Sequence, residues 1–395
     1  MSPSTKFDNI SSKGMENQVP AQWRTKNRKV LLLDGSTLPL PDTKENREKF
    51  PPRKDQAKDM GTPIARVSVL TSLETGSVID FEMSGWVGKG KGEFYLGRKL
   101  LENLSGQEIL IGDAFYFSYF FFSLVREKNA EFVTRIKGNR KFIIKGEKRL
   151  AKGDRLILIS KPRIPHTGWL DEATYEKVPN ETILRETTVT LQKPGFRDKH
   201  ITLISTLIHE KEFSAEDIAD LYSQRWNIEL DFRAIKHTMG LHALKCKKPS
   251  MALKEAWIHL LAYNLIRRTI QEAAINSGQK PRSISMNGAF LAFSSFKKPL
   301  SHPDMNLRRL IYHKMLACIA SQQVGKRPGR LEPRARKKMA YYNDYPKLRI
   351  SRNKWRLLTI LPHLDLVLSS AAQEGIQKLQ KRMPACNYNK YSVLC

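Results

Sequence analysis

The sequence predicts a mixed α/β fold, and three observations support that class. Residues 30–33 and 109–111 are short, wholly apolar runs, typical of strands buried on both faces of a sheet. Residues 65–84 contain two strand-like runs separated by LETGS, which predicts a β-hairpin. Longer segments with apolar residues at helical spacing lie between and after these strands. We therefore expect a mixed sheet with helices packed against it.

Each of the two apolar runs is followed by an aspartate. The first strand is predicted to end at Asp34, and the second at Asp113. In open α/β sheets, ligands bind beside the carboxyl ends of the strands. Asp34 and Asp113 are therefore candidate site residues.

The remaining elements follow in chain order. Residues 92–104 have helical spacing, and the aromatic run 115–125 predicts a buried helix. Residues 137–199 change to short strand-like pieces, which predicts a β-rich insertion. A core strand is expected at 200–208, then a helix whose start is marked by Ser214 and Asp217, and then a long helix at 251–274.

These elements suggest five regions. They are a polar leader or truncated N-terminal region (1–28), the first part of the core (29–136), the β-rich insertion (137–199), the second part of the core with a glutamate-bearing helix (200–275), and a C-terminal region with a basic arm (276–395). The basic arm is a run of lysines and arginines around Pro328 and Pro333, which prevent a continuous helix. It would suit phosphate contacts, and a solvated flexible tail is the alternative.

The stretch YSQRWNIELDFRAIK, residues 222–236, carries an unusual polar face. At roughly 100° per residue of a single helix, Tyr222, Arg225, Glu229 and Lys236 fall within an arc of about 60°. An apolar stripe lies beside that arc, and Asp231 points the opposite way. A solvated face with one Glu–Arg pair, worth about 0.2–0.5 kcal/mol, explains the spacing equally well. Spacing alone therefore leaves a functional and a structural interpretation open.

Composition favours a polyanionic partner. The formal net charge is +29, from 68 basic and 39 acidic residues, and self-repulsion of that size is best offset by nucleic acid. A membrane partner is disfavoured because no apolar run reaches about 18 residues. Four scattered cysteines suggest neither disulfides nor a zinc site, and the polar N-terminus excludes a secretory signal. A cytoplasmic protein is expected.

If Asp34, Asp113 and Glu229 converge, they could hold two magnesium ions about 3.5–4 Å apart, because hard carboxylate oxygens suit Mg²⁺. Such a pair of ions supports phosphodiester displacement. The basic side chains Arg225, Arg233 and Lys236 would then contact the phosphates of a DNA backbone. The Trp226 ring could stack on an unpaired nucleobase. Packing in the core is the alternative for Tyr222 and Trp226.

Together these motifs resemble those of a known family. The pattern Y-(2)-R-(3)-E-(6)-K, filled by Tyr222, Arg225, Glu229 and Lys236, resembles the signature of DDE transposases of the insertion-sequence-4 family. LLLDGSTLPLPDTKENREKFP resembles the first-aspartate region of that family, GDAFYFSYF its second, and VGKRPGRLEPRARKK its basic tail. The resemblance covers roughly residues 22 to 340.

The resemblance implies a ribonuclease H-like core interrupted by a β-rich insertion. It implies that Asp34, Asp113 and Glu229 bind two Mg²⁺ ions, for which Mn²⁺ can substitute. The bases Arg225 and Lys236, with Tyr222, would hold the transposon-end phosphates, and Arg233 occupies a position where some members carry another base.

Double-stranded DNA, as terminal inverted repeats and target, is the implied partner of a homodimer in a synaptic complex. No membrane partner is implied, and the location would be the bacterial cytoplasm, at the nucleoid. The implied reaction is cleavage of both transposon ends followed by strand transfer into target DNA.

One departure from the family pattern leaves alternatives open. Family members usually carry a further N-terminal region that recognises the terminal repeats, whereas only about thirty residues precede the first aspartate strand. The chain then either begins late or relies on end recognition elsewhere. A truncated, catalytically idle DNA-binding remnant is the main alternative function, and a nuclease without strand transfer is a third.

Overall fold

The computed structural model describes residue 12 and residues 14–52, 61–88, 91–136, 142–163, 170–191 and 199–325. In these residues nine strands form one sheet, in the order β3-β2-β1-β4-β5-β9-β8-β7-β6. The strands are β1 (Val30–Pro39), β2 (Ile64–Ser72), β3 (Val78–Gly85), β4 (Ile109–Gly112), β5 (Glu131–Arg135), β6 (Ile144–Ala151), β7 (Asp154–Ser160), β8 (Glu181–Leu191) and β9 (Lys199–Ser205).

Parallel strands lie at the centre of this sheet. β1 runs parallel to β4, and β4 runs parallel to β5. The predicted hairpin is confirmed as β2 and β3, which extend the sheet antiparallel to β1. A mixed sheet with helices confirms the predicted α/β class and is consistent with a ribonuclease H-like core.

The prediction that the first strand ends at Asp34 is wrong. β1 continues to Pro39 because β2 stays paired with it, from Leu31 opposite Ser72 to Pro39 opposite Ile64. Its parallel neighbour stops earlier, with Gly112 opposite Leu33. Asp34 therefore lies at the point where β1 loses β4, which opens a space beside it.

The helices of the described residues cover both faces of the sheet. They are α1 (Lys44–Lys49), α2 (Glu93–Leu100), α3 (Tyr119–Glu127), α4 (Glu172–Lys177), α5 (Ala215–Ser223), α6 (Trp226–Arg233), α7 (Pro249–Asn276), α8 (Met286–Phe296) and α9 (Met305–Ser321). Alternate residues of β1 separate the two faces, as expected for a pleated strand. Leu31 and Leu33 pack with α2 and α3, whereas Val30 and Leu32 pack with α5 and α6.

The predicted aromatic helix is confirmed, although it begins later than expected. Residues 119–125 are all buried in α3, and a short 3-10 turn, Ala114–Tyr116, precedes it. Asp113 caps that turn by accepting a hydrogen bond from the backbone N–H of Phe115 at 2.8 Å. The chain then passes through the extended Ser118 before α3 begins. The helix therefore begins after the acid that the preceding strand presents.

The segment predicted as a β-rich insertion contains β6, β7, β8 and α4. β7 pairs antiparallel with both β6 and β8, which prolongs the sheet beyond β9. The limits of the five predicted regions stay predictions, and the basic arm from residue 326 onward lies outside the described residues.

The predicted long helix is confirmed as α7, which packs over the β2–β3 hairpin. Its second half packs with α8 and α9 in a separate apolar cluster. In the described part of the chain, no helix combines the length and apolarity needed to cross a bilayer. Helix α7 thus covers the β2–β3 edge of the sheet, next to β1.

Candidate active site

The YREK stretch is built from three consecutive segments. The predicted capping box at its start is confirmed: Ser214 and Asp217 exchange side chain-to-backbone hydrogen bonds. α5 then ends at Ser223, α6 begins at Trp226, and a π-helical turn follows at Ala234–Thr238. The expectation of one regular helix is therefore wrong, and the 60° arc does not apply.

The apolar stripe next to this stretch is confirmed. Leu221, Ile228 and Ile235 are 3%, 1% and 1% exposed, respectively. Phe232 and Met239 are partly buried against the same cores. Burial of this stripe fixes the side of α6 that faces the sheet, so the polar side chains lie along its margin.

Three carboxylates meet where β1 and β4 separate. Ligand atoms of Asp34, Glu93 and Asp113 all lie within 4.8 Å of one another. Asp34 accepts a hydrogen bond from the backbone N–H of Gly35 at 2.8 Å, and Asp113 is held by its cap of the 3-10 turn. We call these three residues the carboxylate cluster.

Sequence reasoning missed Glu93. It is the first residue of α2, whose N-cap is Gly92, and an acid in a first helical turn is an ordinary feature. No spacing connects it to Asp34 or Asp113. Only the packing of α2 on the sheet brings its carboxylate to the end of β4.

The cluster has an excess of negative charge. The pKa of Asp34 is raised to about 6, mainly by burial and also by the charge of Asp113, against the lowering effect of the Gly35 hydrogen bond. Burial, together with the charges of Asp113 and Asp34, raises the pKa of Glu93 to about 7. Each acid therefore opposes ionisation of its neighbours, and a cation between them would relieve that repulsion.

Glu229 lies beside the cluster and is separated from it by Arg225. One guanidinium nitrogen of Arg225 donates to the Glu229 carboxylate at 2.5 Å, and another lies 3.8 Å from Asp34. The guanidinium thus bridges two of the three predicted acids and takes the position of a cation between them. Glu229 is accordingly not among the acids that lie within 4.8 Å of one another.

Lys236 reaches the site from the π-helical turn. Its ammonium donates to the Ser36 hydroxyl at 2.5 Å. Burial lowers its pKa, and the charge of Asp34 acts in the opposite direction. Lys236 is therefore placed at the β1 margin of the carboxylate cluster.

The other predicted contact residues surround this margin. Tyr222 is partly buried, and burial raises its pKa. Trp226 is 49% exposed, so the alternative of a core-packed indole does not hold. Arg233 is exposed. An aromatic ring and a guanidinium on α6 are thus accessible to a partner.

The opposite side of α6 carries a buried ion network around Asp231. This residue is fully buried, and its carboxylate accepts hydrogen bonds from Arg267 at 2.8 Å and Arg282 at 2.9 Å. The Tyr263 hydroxyl donates to Asp231 at 3.2 Å and accepts from Arg267 at 2.8 Å. We call these four residues the Asp231 network. It ties α6 to α7 and thereby sets the position of Glu229.

The chain is similar to known transposases. The family model described as "Transposase DDE domain" matches residues 25–265. Transposase InsG for insertion sequence element IS4, from Escherichia coli (strain K12), is 28% identical over 265 residues, which are 65% of this chain and 56% of that protein. The transposase for insertion sequence element IS421, from Escherichia coli, is 46% identical over 74 residues, 18% of this chain and 19% of that protein.

A solved structure of the piggyBac transposase synaptic complex with hairpin DNA aligns with 81% of this chain and 66% of that chain, at a TM-score of 0.36 and 12% identity. The chain spans about half the length of the InsG protein. The family match itself covers more than half of the present chain and contains the two aspartates, Glu93 and the YREK stretch. The chain therefore belongs to the Transposase DDE domain family.

Proposed function

We propose that the protein is a DNA transposase that cleaves transposon ends and joins them to target DNA in a metal-dependent reaction. The observation that carries the proposal is the carboxylate cluster at the end of β4, with Glu229 and Lys236 at its margin. The family membership supports the same reaction. Phosphodiester displacement needs acidic side chains that bind cations next to basic side chains that bind phosphate. The site supplies both kinds of side chain.

The residues fit a pair of divalent ions. Asp34 lies on a strand, Asp113 caps a helical turn and Glu229 lies on a helix, so each carboxylate has a rigid support. These oxygen donors suit two Mg²⁺ ions, with Mn²⁺ as a substitute. When bound, two such ions activate the attacking oxygen and stabilise the leaving oxygen of the phosphodiester.

Arg225 has two tasks in this proposal. In the protein alone it neutralises Glu229 and lies close to Asp34. When DNA enters, its guanidinium turns to a transposon-end phosphate, which it can bind through two parallel hydrogen bonds. That exchange frees Glu229 to take part in metal binding as the substrate arrives.

The remaining side chains hold the DNA. Lys236 binds a phosphate beside β1, and the exposed Arg233 binds one further along α6. Tyr222 donates a hydrogen bond to a phosphate, and the exposed Trp226 ring stacks on an unpaired base at the distorted terminus. Water is the first nucleophile and releases a 3′-hydroxyl, which attacks the opposite strand to form a hairpin at the transposon end. A second water hydrolyses the hairpin phosphodiester, and the regenerated 3′-hydroxyl attacks the target strand.

The homodimer and the cytoplasmic, nucleoid-associated location implied by the resemblance stay predictions. The terminal inverted repeats and the target are the proposed double-stranded DNA partners. The net charge of +29 supports a polyanionic partner of this kind.

A strand-cleavage and joining assay tests the proposal. The full chain is incubated with duplexes that carry the repeats flanking its own gene, in Mg²⁺ or in EDTA, beside the near-isosteric variant Asp113→Asn. Nicking at the repeat end that requires Mg²⁺ and disappears in the variant supports the transposase.

Three other outcomes contradict the proposal. DNA binding without cleavage would make the chain an idle remnant. Cleavage without joining would make it a nuclease. Equal cleavage by Asp113→Asn and the parent would show that Asp113 is not a catalytic residue.

A further inference from the structure

The carboxylate cluster contains an acid that the DDE triad does not include. Ligand atoms of Asp34, Asp113 and Glu93 lie within 4.8 Å of one another, whereas Glu229 is paired with Arg225. We propose that Glu93 is a further ligand of the metal ion held by Asp34 and Asp113, so that this site uses four acids. The inference rests on the proposed function and adds a ligand to the same site.

The distances suit one shared ion. A Mg²⁺ ion binds oxygens at about 2.0–2.1 Å, so opposite ligands lie about 4 Å apart. The three ligand atoms of the cluster lie within 4.8 Å of one another, and a small side-chain rotation closes the difference. Glu93 lies in the first turn of α2, which packs on β2 and β3, so its backbone is held in place while its side chain extends to the site.

Gly35 provides the space that Glu93 occupies. A Cβ atom at position 35 would lie 2.3 Å from the carboxyl carbon of Glu93 and 2.5 and 2.8 Å from its two oxygens. Any side chain directly after Asp34 would therefore displace the Glu93 carboxylate. The absence of a side chain at this position opens a path from α2 to the first catalytic aspartate.

A buried tyrosine hydroxyl next to the cluster is a second observation that points to a ligand. Tyr116 is 0% exposed, and its hydroxyl, which lies near the Glu93 carboxylate and the Ser68 hydroxyl, makes no hydrogen bond of ordinary geometry with any described residue. It lies close enough to Glu93, Asp34 and Asp113 for their charges to raise its pKa well above the ordinary value, after the larger effect of burial. A buried hydroxyl group without a partner is costly.

In the proposed site this hydroxyl group gains a role. Tyr116 donates to the Glu93 oxygen that does not face the ion and so fixes the orientation of the carboxylate. Gly97, one turn after Glu93, permits the approach, because a Cβ there would lie 2.7 Å from the tyrosine ring. Hydrogen-bonded outer partners of this kind orient metal ligands and strengthen binding.

The test measures metal binding by the full chain without DNA. Free Mn²⁺ is followed by electron paramagnetic resonance during titration, so the readout does not depend on catalysis. Glu93→Gln keeps the shape of the side chain and removes its charge. It is expected to weaken Mn²⁺ binding roughly ten- to a hundred-fold.

A second variant displaces Glu93 without changing any acid. Gly35→Ala introduces the Cβ described above, and the flexible Glu93 carboxylate moves because it is the nearest group. It should weaken Mn²⁺ binding by a factor similar to that of Glu93→Gln. The double variant should bind Mn²⁺ with the same affinity as the single variant of lower affinity, since both changes remove the same contact.

Two controls separate the possible failures. Glu102→Gln removes an acid that is 74% exposed and paired with Lys128, and it should bind Mn²⁺ as the parent does. Asp113→Asn should lose binding because it removes a ligand of the proposed site. If Glu93→Gln and Gly35→Ala both bind Mn²⁺ as tightly as the parent while Asp113→Asn does not, Glu93 is not a ligand and the proposed function stands. If Asp113→Asn also binds normally, the metal site of the proposed function is wrong.

Discussion

The carboxylate cluster and the Asp231 network bury acids in opposite ways on the two sides of α6. Asp231 has 0% exposure, and the chain itself supplies two arginines to neutralise it. Asp34 and Glu93 are partly buried, and the charges that act on them include those of other acids. Glu229 and Asp231, two residues apart on one helix, thus belong to regions with different electrostatic balance.

The difference distinguishes an ion network that the chain itself neutralises from a group of acids that it neutralises less completely. A buried charge is tolerated when hydrogen-bonded partners compensate its lost hydration. The Asp231 network meets that condition within the chain. In the carboxylate cluster Arg225 lies near Asp34 and Arg66 acts on Glu93, but the acids still raise one another's pKa, so a bound cation would relieve the remaining repulsion. Substitutions in the two regions should therefore have opposite effects on stability.

Asp34→Asn should give the largest effect on activity and, in contrast, a gain in metal-free stability. Loss of this carboxylate removes several kcal/mol of transition-state stabilisation, so cleavage should fall roughly 10³-fold. At pH 8 the amide removes a buried repulsive charge, so the urea midpoint without metal should rise. A fall in that midpoint would mean that the cluster is not electrostatically strained.

Asp231→Asn should destabilise the protein by about 3–5 kcal/mol, because it leaves Arg267 and Arg282 buried without a counter-charge. Urea unfolding of the full chain at pH 8 measures this loss. Asp220→Asn, at an exposed position on α5, is the matched control and should change stability little. Equal effects of the two substitutions would contradict the structural role of the network.

Glu74→Gln tests a buried acid that lies outside both the carboxylate cluster and the Asp231 network. The pKa of Glu74 is raised from its ordinary value of 4.5 to about 7, mainly by burial and also by the neighbouring charge of Glu16. The folded state therefore holds this proton more tightly than the unfolded state, and Glu74 lowers stability as the pH rises from about 4.5 to 7.

The Gln variant lacks that loss. It should match the parent near pH 4 and exceed it by at most about 3 kcal/mol at pH 8. Denaturant unfolding across this range gives the difference. A constant difference between variant and parent at all pH values would show that Glu74 does not titrate in this window.

Lys236→Ala should have the smallest effect. It removes one phosphate contact beside the carboxylate cluster, so the slope of log affinity against log salt should fall by about 0.9. Fluorescence anisotropy with repeat-end duplex at several salt concentrations measures this slope. Lys128→Ala, distant in the fold and paired with Glu102, should leave it unchanged. An unchanged slope in Lys236→Ala would show that the Lys236 side chain does not contact a DNA phosphate.

Much of the fold followed from local patterns. The runs at 30–33 and 109–111 predicted the central strands, because every position of a strand that is buried on both faces is expected to be apolar. Strand-like runs around LETGS predicted the hairpin, and Ser214 with Asp217 predicted the start of α5. These patterns also predicted that Asp34 and Asp113 lie close together, although Asp34 lies within β1 and not at its end.

The structure alone decided the rest of the site. β1 continued past Asp34 because β2 remained as a partner after β4 had ended. The YREK stretch was divided among two helices and a π-helical turn, and Arg225 was placed between Asp34 and Glu229. Glu93 gave no local signal, since its spacing on α2 is that of any helix.

The sequence by itself determined which segments are strands and helices, and that two aspartates follow buried strands, because burial and periodicity are recorded in neighbouring residues. Only the tertiary structure decided which charges are compensated. That property depends on distances between side chains far apart in the chain, such as Glu93 against Asp34 and Asp231 against Arg282. Electrostatic energy depends on those distances and on burial, which the packing of α2, α6 and α7 on the sheet establishes.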